Sequence, residues 1–322
     1  MKKLLSIVIA TVLAFALCLP FASCGKKADY TVGIIQLAPH VALDAATKGF
    51  KQALTDKLAA QGKTVVFEYQ NASGEPNTCV TIANNFVSKN VDLIMANATS
   101  ALQAVVNATT TIPILGTSIT EYGTALGISD FNGTVGGNVS GTSDLAPLTE
   151  QADMILNFFP DAKKVGLLYC SGEPNSEYQV KVVEEYLTGK GIECTRYSFS
   201  DTNDVTAVTE RAADASDVIY VPTDNTAATC ASTIGNIVRN KKTPVIAGEE
   251  GICKGCGVFT LSISYYDIGY KTGEMAAEIL LGTKNISEMP IQYAPNFTKK
   301  YNAEIAAELG ITIPEGYVAI EE

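Results

Sequence analysis

Apolar runs with the character of strands alternate along the chain with segments of helical periodicity, and the alternation occurs in two consecutive sets. The strand-like runs of the first set lie at 30–36, 64–69, 91–96 and 113–117, and those of the second at 164–169, 192–199, 218–221 and 244–247. These runs are continuously apolar, which is typical of parallel strands covered by helices on both faces. The pattern therefore predicts an α/β protein with two doubly wound parallel-sheet lobes.

The last strand-like run, at 257–262, and the amphipathic helix at 266–281 follow a second set that is already complete. We expect them to return to the first lobe, so that the chain crosses a hinge more than once and leaves a cleft between the lobes. The glycine-rich stretch 128–143 lacks periodicity and is interpreted as a connector. The predicted division is 30–128 with 251–285 for the first lobe, and 129–250 with 286–322 for the second.

The first two dozen residues have the features of an export signal. Two lysines at 2–3 precede an apolar run over 4–19, which is short for a membrane span. Phe21-Ala-Ser-Cys24 resembles the bacterial lipobox, in which the cysteine is lipidated and becomes the N-terminus, although leucine is usual where Phe21 stands. We predict a signal peptide over 1–23, a lipidated tether over 24–29 and a lipid anchor on the extracytoplasmic face of the cell membrane. The alternative is an ordinary signal in which Cys24 has no role.

Composition excludes several classes of protein. The 34 acidic residues outnumber the 23 lysines and arginines, and the formal net charge is −11. Nucleic acid is not expected as a partner, because phosphate binding requires clustered cations. The chain contains no GxSxG, P-loop or HExxH motif. His40, its single histidine, is interpreted as a hydrogen-bonding loop residue, so the sequence predicts a protein that is not an enzyme.

Six cysteines remain once Cys18 leaves with the signal and Cys24 is assigned to the lipid. Only Cys253 and Cys256 are close in sequence, whereas a structural zinc site needs four ligands, usually as two such pairs. We therefore expect neither a metal nor a cofactor. The Cys253–Cys256 pair is either a local disulfide, which export permits, or two buried thiols.

Polar residues follow the predicted strands at their carboxyl ends, where open α/β sheets bind their ligands. The candidate ligand-binding residues are Gln36, Thr99, Ser100, Thr117, Ser118, Glu173, Asn175, Ser176, Asp224, Asn225 and Glu249. Asp224 is expected to pair with an ammonium group, because a buried charge needs a partner. For the serines, threonines and asparagines, plain helix N-capping is the alternative. Phe131 and Tyr178 are candidates to contact the apolar part of a ligand.

Several longer stretches match one family along the mature chain, in order. They are Val32-Gly-Ile-Ile-Gln36, Val91-Asp-Leu-Ile94, Gly137-Asn-Val-Ser-Gly-Thr-Ser-Asp144, Glu173-Pro-Asn-Ser176, Val221-Pro-Thr-Asp-Asn225 and Leu309-Gly-Ile-Thr-Ile-Pro314. In these stretches the chain resembles ABC-transporter substrate-binding proteins of the tryptophan/tyrosine type. The resemblance implies a type I periplasmic-binding fold with three hinge crossings, no catalysis, and an ABC permease with its ATPase subunits as partners.

The resemblance also implies roles for the polar residues at the strand ends. Thr99, Ser100 and Ser118 would receive the ligand carboxylate, and Asp224 and Asn225 would contact its amino group. The second lobe would close over the ligand with Glu173 and Asn175.

These observations favour a receptor that captures an aromatic amino acid by lobe closure and delivers it to an importer. A ligand-sensing or adhesive surface lipoprotein on the same fold is one alternative. Others are a receptor for a branched-chain amino acid, a nucleoside or a sugar, and a secreted enzyme that uses the cleft carboxylates.

Overall fold

The computed structural model of the protein describes residues 28–321. The predicted signal peptide, Cys24 and most of the predicted tether lie outside the described residues. The predicted fold class is confirmed, because two separate, mainly parallel sheets form the centres of two α/β lobes. Within the described part of the chain, no helix combines the length and apolarity needed to cross a membrane.

The first lobe is built on a six-stranded sheet in which every neighbouring pair is parallel. In spatial order its strands are β11 (Gln292–Tyr293), β5 (Val139–Ser143), β4 (Ile114–Ile119), β3 (Leu93–Asn97), β1 (Tyr30–Gln36) and β2 (Val65–Asn71). Its helices are α1 (Val41–Ala59), α2 (Pro76–Ser88), α3 (Thr99–Ala108), α4 (Tyr122–Leu126) and α11 (Tyr265–Leu280). Helices α1 and α11 cover one face of the sheet, and α2, α3 and α4 cover the other.

Helix α11 belongs to the first lobe because glycines let it approach α1 very closely. A Cβ atom on Gly269 would lie 2.0 Å from the Ala46 carbonyl oxygen, and one on Gly49 would lie 2.1 Å from the Tyr266 carbonyl oxygen. Only glycine permits such a close approach of two backbones. This contact holds the segment that follows the second hinge crossing against the first lobe.

The second lobe contains a seven-stranded sheet. In spatial order its strands are β13 (Val318–Ala319), β12 (Thr298–Tyr301), β10 (Phe259–Ser262), β9 (Val245–Ala247), β8 (Val218–Val221), β6 (Lys164–Cys170) and β7 (Glu193–Phe199). Only the β10–β12 pair is antiparallel among these described strands. The helices on one face are α5 (Leu148–Phe158), α6 (Pro174–Gly189) and α12 (Ala303–Glu308), and those on the other are α7 (Val205–Ala215), α8 (Asn225–Thr229), α9 (Ala231–Lys241) and α10 (Glu250–Gly255).

The chain crosses between the sheets three times, at 144–147, 263–264 and 294–297. The predicted boundaries at residues 129 and 251 are therefore wrong. Strand β5 pairs with β4 in the first sheet, and β10 pairs with β9 in the second, so that α11 returns to the first lobe without the strand before it. The short helix α10 joins β9 to β10 as an ordinary parallel crossover within one sheet, which needs no passage between lobes. The prediction also misplaced β11, which pairs with β5 in the first sheet.

Candidate ligand-binding cleft

The carboxyl ends of β1, β2 and β3 face those of β6, β7 and β8 across a cleft between the lobes. A cavity of about 320 Å³ lies there, within the usual size range of small-molecule sites, about 300–1,000 Å³. The first lobe contributes residues 37–39 and 73–76 and Ser100, and the second contributes Cys170, Gly172, Glu173, 200–202, Asn225, Thr226 and Thr229. Three predicted site residues, Ser100, Glu173 and Asn225, thus line one cavity.

A hydrogen bond joins the lobes directly across this cleft. His40 Nε2 lies 3.3 Å from Asn225 Oδ1. The Asn225 amide nitrogen donates to Glu173 at 2.6 Å, which leaves Oδ1 to accept from the imidazole. Burial lowers the pKa of His40, so the neutral ring with its proton on Nε2 is favoured in this arrangement. The lobes are therefore in contact, and the cleft is closed.

Glu173 is the most highly bonded side chain of the cleft, although only 6% of its surface is exposed. Its Oε1 accepts from the backbone N–H and the hydroxyl of Thr226, both at 2.8 Å. Its Oε2 accepts from the backbone N–H of Asn225 at 2.9 Å, from the Asn225 side chain, and from Asn175 Nδ2 at 3.1 Å. Five donors of the second lobe satisfy this carboxylate and connect the start of α6 to the start of α8.

Asp224 lies behind this group and is 1% exposed. Its Oδ1 accepts from the backbone N–H of Ala227, and its Oδ2 from that of Cys170, both at 2.7 Å. Burial raises the pKa of Asp224, and the nearby charge of Glu173 raises it further. The first of these bonds makes Asp224 the N-cap of α8. An ammonium-binding role for Asp224 stays a prediction, and the observed bonds are those of a structural residue.

Glu249 is also a capping residue, at the start of α10. Its two oxygens accept from the backbone N–H groups of Gly251 and Ile252. Burial raises the pKa of Glu249 to about 7, with smaller contributions from the charges of Glu250 and Asp144. Glu249 lines a second groove between the lobes, where α1 approaches α10, and not the cavity that Glu173 lines.

Asn175 and Ser176 begin helix α6 and are buried. Asn175 Nδ2 donates to the Thr223 carbonyl oxygen at 3.2 Å and lies 3.3 Å from the Ser176 hydroxyl. These bonds connect the first turn of α6 to the loop that follows β8. Both residues therefore stabilise the second lobe at the base of the cleft.

Gln36 and Thr117 are satisfied within the first lobe. Gln36 donates to the Ala38 carbonyl oxygen at 2.8 Å and to Asp44 at 2.6 Å, and it accepts from the Thr47 hydroxyl at 2.7 Å. Gln36 lines a separate depression beside α1. The hydroxyl of Thr117 lies 3.1 Å from that of Thr142 on the neighbouring strand. These contacts hold the loop after β1 and the β4–β5 pair in place.

The start of α3 and the end of β4 retain unused polar groups. Ser118 is 6% exposed, its φ is +56°, and its hydroxyl has no hydrogen-bond partner among residues 28–321. Ala98, just before α3, has φ +91°, and no side chain of the described residues caps this helix. Residues with such backbone strain cluster at functional sites, and the N-terminus of a helix attracts anions. Thr99 is buried in the first turn of α3, and Ser100 reaches the cavity.

Sequence reasoning missed Asp144, the first residue after β5. It is 4% exposed, its Oδ2 accepts from the Tyr265 hydroxyl at 3.0 Å, and its Oδ1 has no hydrogen-bond partner in the described chain. Burial raises the pKa of Asp144 to about 6, and the hydroxyls of Thr120 and Tyr265 limit the rise. A single acid at the end of the stretch 137–144 is the signal that could have identified it. The connector prediction covered residues 128–143, and Asp144 was noted only as the last residue of a stretch that matches the family.

The two aromatic candidates lie in different lobes. Phe131 stacks on Tyr122 with the ring centroids 6.4 Å apart, and Tyr178 packs against the core of the second lobe. Burial raises the pKa of Tyr178, and the charge of Glu121 in the first lobe raises it further. Tyr178 therefore lies close to the opposite lobe. The buried pair Cys253 and Cys256 carries two free thiols.

Comparison with known proteins identifies the class. Residues 31–320 match the family model described as ABC transporter substrate binding protein, and the chain belongs to this family. It is 35% identical over 305 residues to a tyrosine-binding protein of Clostridioides difficile strain R20291, covering 90% of this chain and 87% of that one. The family binds its substrates and does not transform them, and its members are extracytoplasmic.

Two solved structures are similar over nearly the whole chain. The ABC domain of Streptococcus pneumoniae in complex with L-Trp is 29% identical with a TM-score of 0.84, covering 90% of this chain and 99% of that one. The ligand-free, open structure of a Clostridium difficile substrate-binding protein with adhesive properties is 34% identical with a TM-score of 0.69, covering 91% and 99%. The type I periplasmic-binding fold is thereby confirmed. The TM-score is therefore higher for the L-Trp complex than for the ligand-free, open structure, despite the lower identity of the former.

Proposed function

We propose that this chain is the extracytoplasmic receptor of an ABC importer and captures an aromatic amino acid by closing its two lobes. The observation that carries the proposal is the closed inter-lobe cavity, which is lined from both lobes at the carboxyl ends of their strands. A tyrosine-binding protein and an L-Trp complex among its relatives support an aromatic ligand. Contacts from both lobes to one ligand favour the closed state, which the permease then recognises.

The ligand carboxylate is assigned to the first lobe. Ser118 offers a hydroxyl without a partner, and Ser100 lies in the first turn of α3, whose backbone N–H groups point along the helix axis. The second lobe closes over this group through Glu173 and Asn225, which present a preformed surface to the cavity.

Ligand screening on residues 25–322 tests the proposal. Tyrosine, tryptophan and phenylalanine should raise the thermal unfolding temperature more than the other amino acids, nucleosides or sugars. A ligand at a hundredfold its Kd adds about 2.7 kcal/mol of stability. A larger shift with leucine, a nucleoside or a sugar would contradict the aromatic assignment.

Lipid anchoring through Cys24 is the second part of the proposal, and it is tested separately. In the full-length chain, Cys24→Ser should move the protein from the membrane fraction to the soluble fraction. The matched variant Cys18→Ser should stay with the membrane, because Cys18 leaves with the signal peptide. Membrane association of the Cys24→Ser protein would contradict lipidation at that position.

A further inference from the structure

Besides Glu173, whose oxygens are satisfied by five donors, three buried acids lie where the lobes meet, and none of the three has a cationic partner. They are Asp144, Asp224 and Glu249, all at most 4% exposed. Within residues 28–321, no lysine or arginine forms a salt bridge with any of them. A buried carboxylate without a counter-charge is costly, so this region is suited to a positive group supplied by a ligand.

The three acids differ in the acceptor capacity that remains. Both oxygens of Asp224 accept backbone N–H bonds, and so do both oxygens of Glu249. Asp144 uses one oxygen, Oδ2, for the Tyr265 hydroxyl. Its Oδ1 forms no hydrogen bond of good geometry in the described chain, although the Thr120 hydroxyl lies near the carboxylate.

Asp144 directly follows β5, the strand next to the one that carries the second unpartnered polar atom of the region, the Ser118 hydroxyl. Ile119 pairs with Ser143 in the β4–β5 ladder, so Ser118 and Asp144 lie on either side of that pair. The backbone N–H of Asp144 donates to the Ile119 carbonyl oxygen at 3.1 Å. A hydroxyl that can donate and a carboxylate oxygen that can accept therefore lie at the carboxyl ends of two adjacent strands of the first sheet, β4 and β5. An α-amino acid head group requires this combination.

We propose that Asp144 binds the ammonium group of the ligand through Oδ1, while Ser118 binds the ligand carboxylate. Asp224 serves only as the N-cap of α8. The assignment rests on the proposed function, because it requires a ligand with an amino group. Tyr265 holds the other oxygen of Asp144. Since Asp144 lies in the first hinge crossing and Tyr265 directly follows the second, the ammonium would bind at the hinge itself.

The test compares tyrosine with its des-amino analogue, 3-(4-hydroxyphenyl)propionate, by titration calorimetry. Asp144→Asn keeps an oxygen for the Tyr265 hydroxyl but removes the charge. It should weaken tyrosine binding at least about 30-fold and change binding of the analogue less than about 3-fold. The matched variant Asp224→Asn should keep the wild-type preference for tyrosine while lowering the thermal unfolding temperature.

A measurement of pH dependence on the wild-type protein tests the assignment even if Asp144→Asn does not fold. Protonation removes the negative charge of Asp144 that attracts the ammonium group, so the preference for tyrosine over the analogue should fall about tenfold between pH 7 and pH 5. The titratable groups that face Asp144 are Glu249, Tyr122 and Tyr265. The tyrosines stay neutral across this range, whereas Glu249, whose pKa is about 7, also gains a proton and so changes the negative charge near the ammonium group in the same direction.

The outcomes separate this assignment from the proposed function. An unchanged preference in Asp144→Asn, a preference lost in Asp224→Asn, or a pH-independent preference would overturn the role of Asp144 alone. If another amino acid proves to be the ligand, the aromatic proposal fails and the same comparison with that ligand's des-amino analogue still tests Asp144. Failure of every amine to bind the wild-type protein would overturn both.

Discussion

The two lobes present different polar surfaces to the cleft. In the second lobe, Glu173 and Asp224 accept hydrogen bonds from their own lobe at every oxygen. In the first lobe, the Ser118 hydroxyl has no partner among the described residues, and no side chain there caps α3. A buried polar group without a partner is costly, whereas a satisfied one stabilises the lobe that contains it. We therefore expect the ligand head group to bind the first lobe and the second lobe to close as a rigid cover.

Removal of the Glu173 carboxylate, whose two oxygens both accept hydrogen bonds, should have the largest effect on stability. Glu173→Ala leaves up to five donors without their acceptor, and it should lower the free energy of unfolding by about 3 kcal/mol or more in urea denaturation. Glu177→Ala, on the same helix, removes an exposed ion pair with Arg196 and should cost less than about 1 kcal/mol. Equal losses in the two variants would show that the buried hydrogen bonds of Glu173 do not stabilise the second lobe.

The buried acids should make the ligand-free protein less stable as the pH rises. The pKa values of Asp144 and Glu249 are raised to about 6 and about 7, so between pH 5 and pH 8 the folded protein holds protons that the unfolded chain has lost. Through these two acids the free energy of unfolding should therefore fall by about 4 kcal/mol over this range, and His40, whose pKa is lowered, offsets part of this fall.

Urea denaturation at several pH values measures this slope. Asp144→Asn should flatten it, and the exposed control Asp130→Asn should leave it unchanged. Stability that rises with pH in the wild-type protein would contradict the burial of these acids. Ligand affinity is expected to change in the opposite direction, because binding an ammonium group requires the ionised Asp144.

Ser118 should affect binding more than stability. Ser118→Ala removes a hydroxyl that has no partner in the described chain, so the free energy of unfolding should change by less than about 0.5 kcal/mol. Affinity for tyrosine should fall about 5- to 10-fold through the loss of one hydrogen bond to the ligand carboxylate. Ser88→Ala, a change on the exposed side of α2, is the control. Calorimetry should show that this variant binds tyrosine with wild-type affinity. A large loss of stability in Ser118→Ala would show that this hydroxyl is structural.

The smallest effect is expected at the bond between the lobes. His40→Ala removes the contact with Asn225 and favours the open state by the value of one hydrogen bond, about 1 kcal/mol. Tyrosine affinity should fall less than about 5-fold, and small-angle scattering should show a larger radius of gyration for the ligand-free variant. A scattering profile identical to that of the wild-type protein would show that this bond does not hold the lobes together.

Local patterns were sufficient to predict much of this molecule. Continuous apolar runs followed by helical periodicity predicted two parallel-sheet lobes, because both signals arise from residues only a few positions apart. The placement of the site at the carboxyl ends of the strands followed from the same pattern. Of the residues at those ends, Ser100, Glu173 and Asn225 line the cavity.

Only the tertiary structure decided which polar residues are already in use and where the chain crosses. Asp224 is satisfied by an N–H group 54 residues away, and Asp144 meets Tyr265 across 121 residues. The return of α11 without β10 likewise depends on backbone contacts between distant glycines and α1. Whether a carboxylate is a cap or a free acceptor depends on which donors the fold brings within 3 Å of it, and no local pattern contains that information.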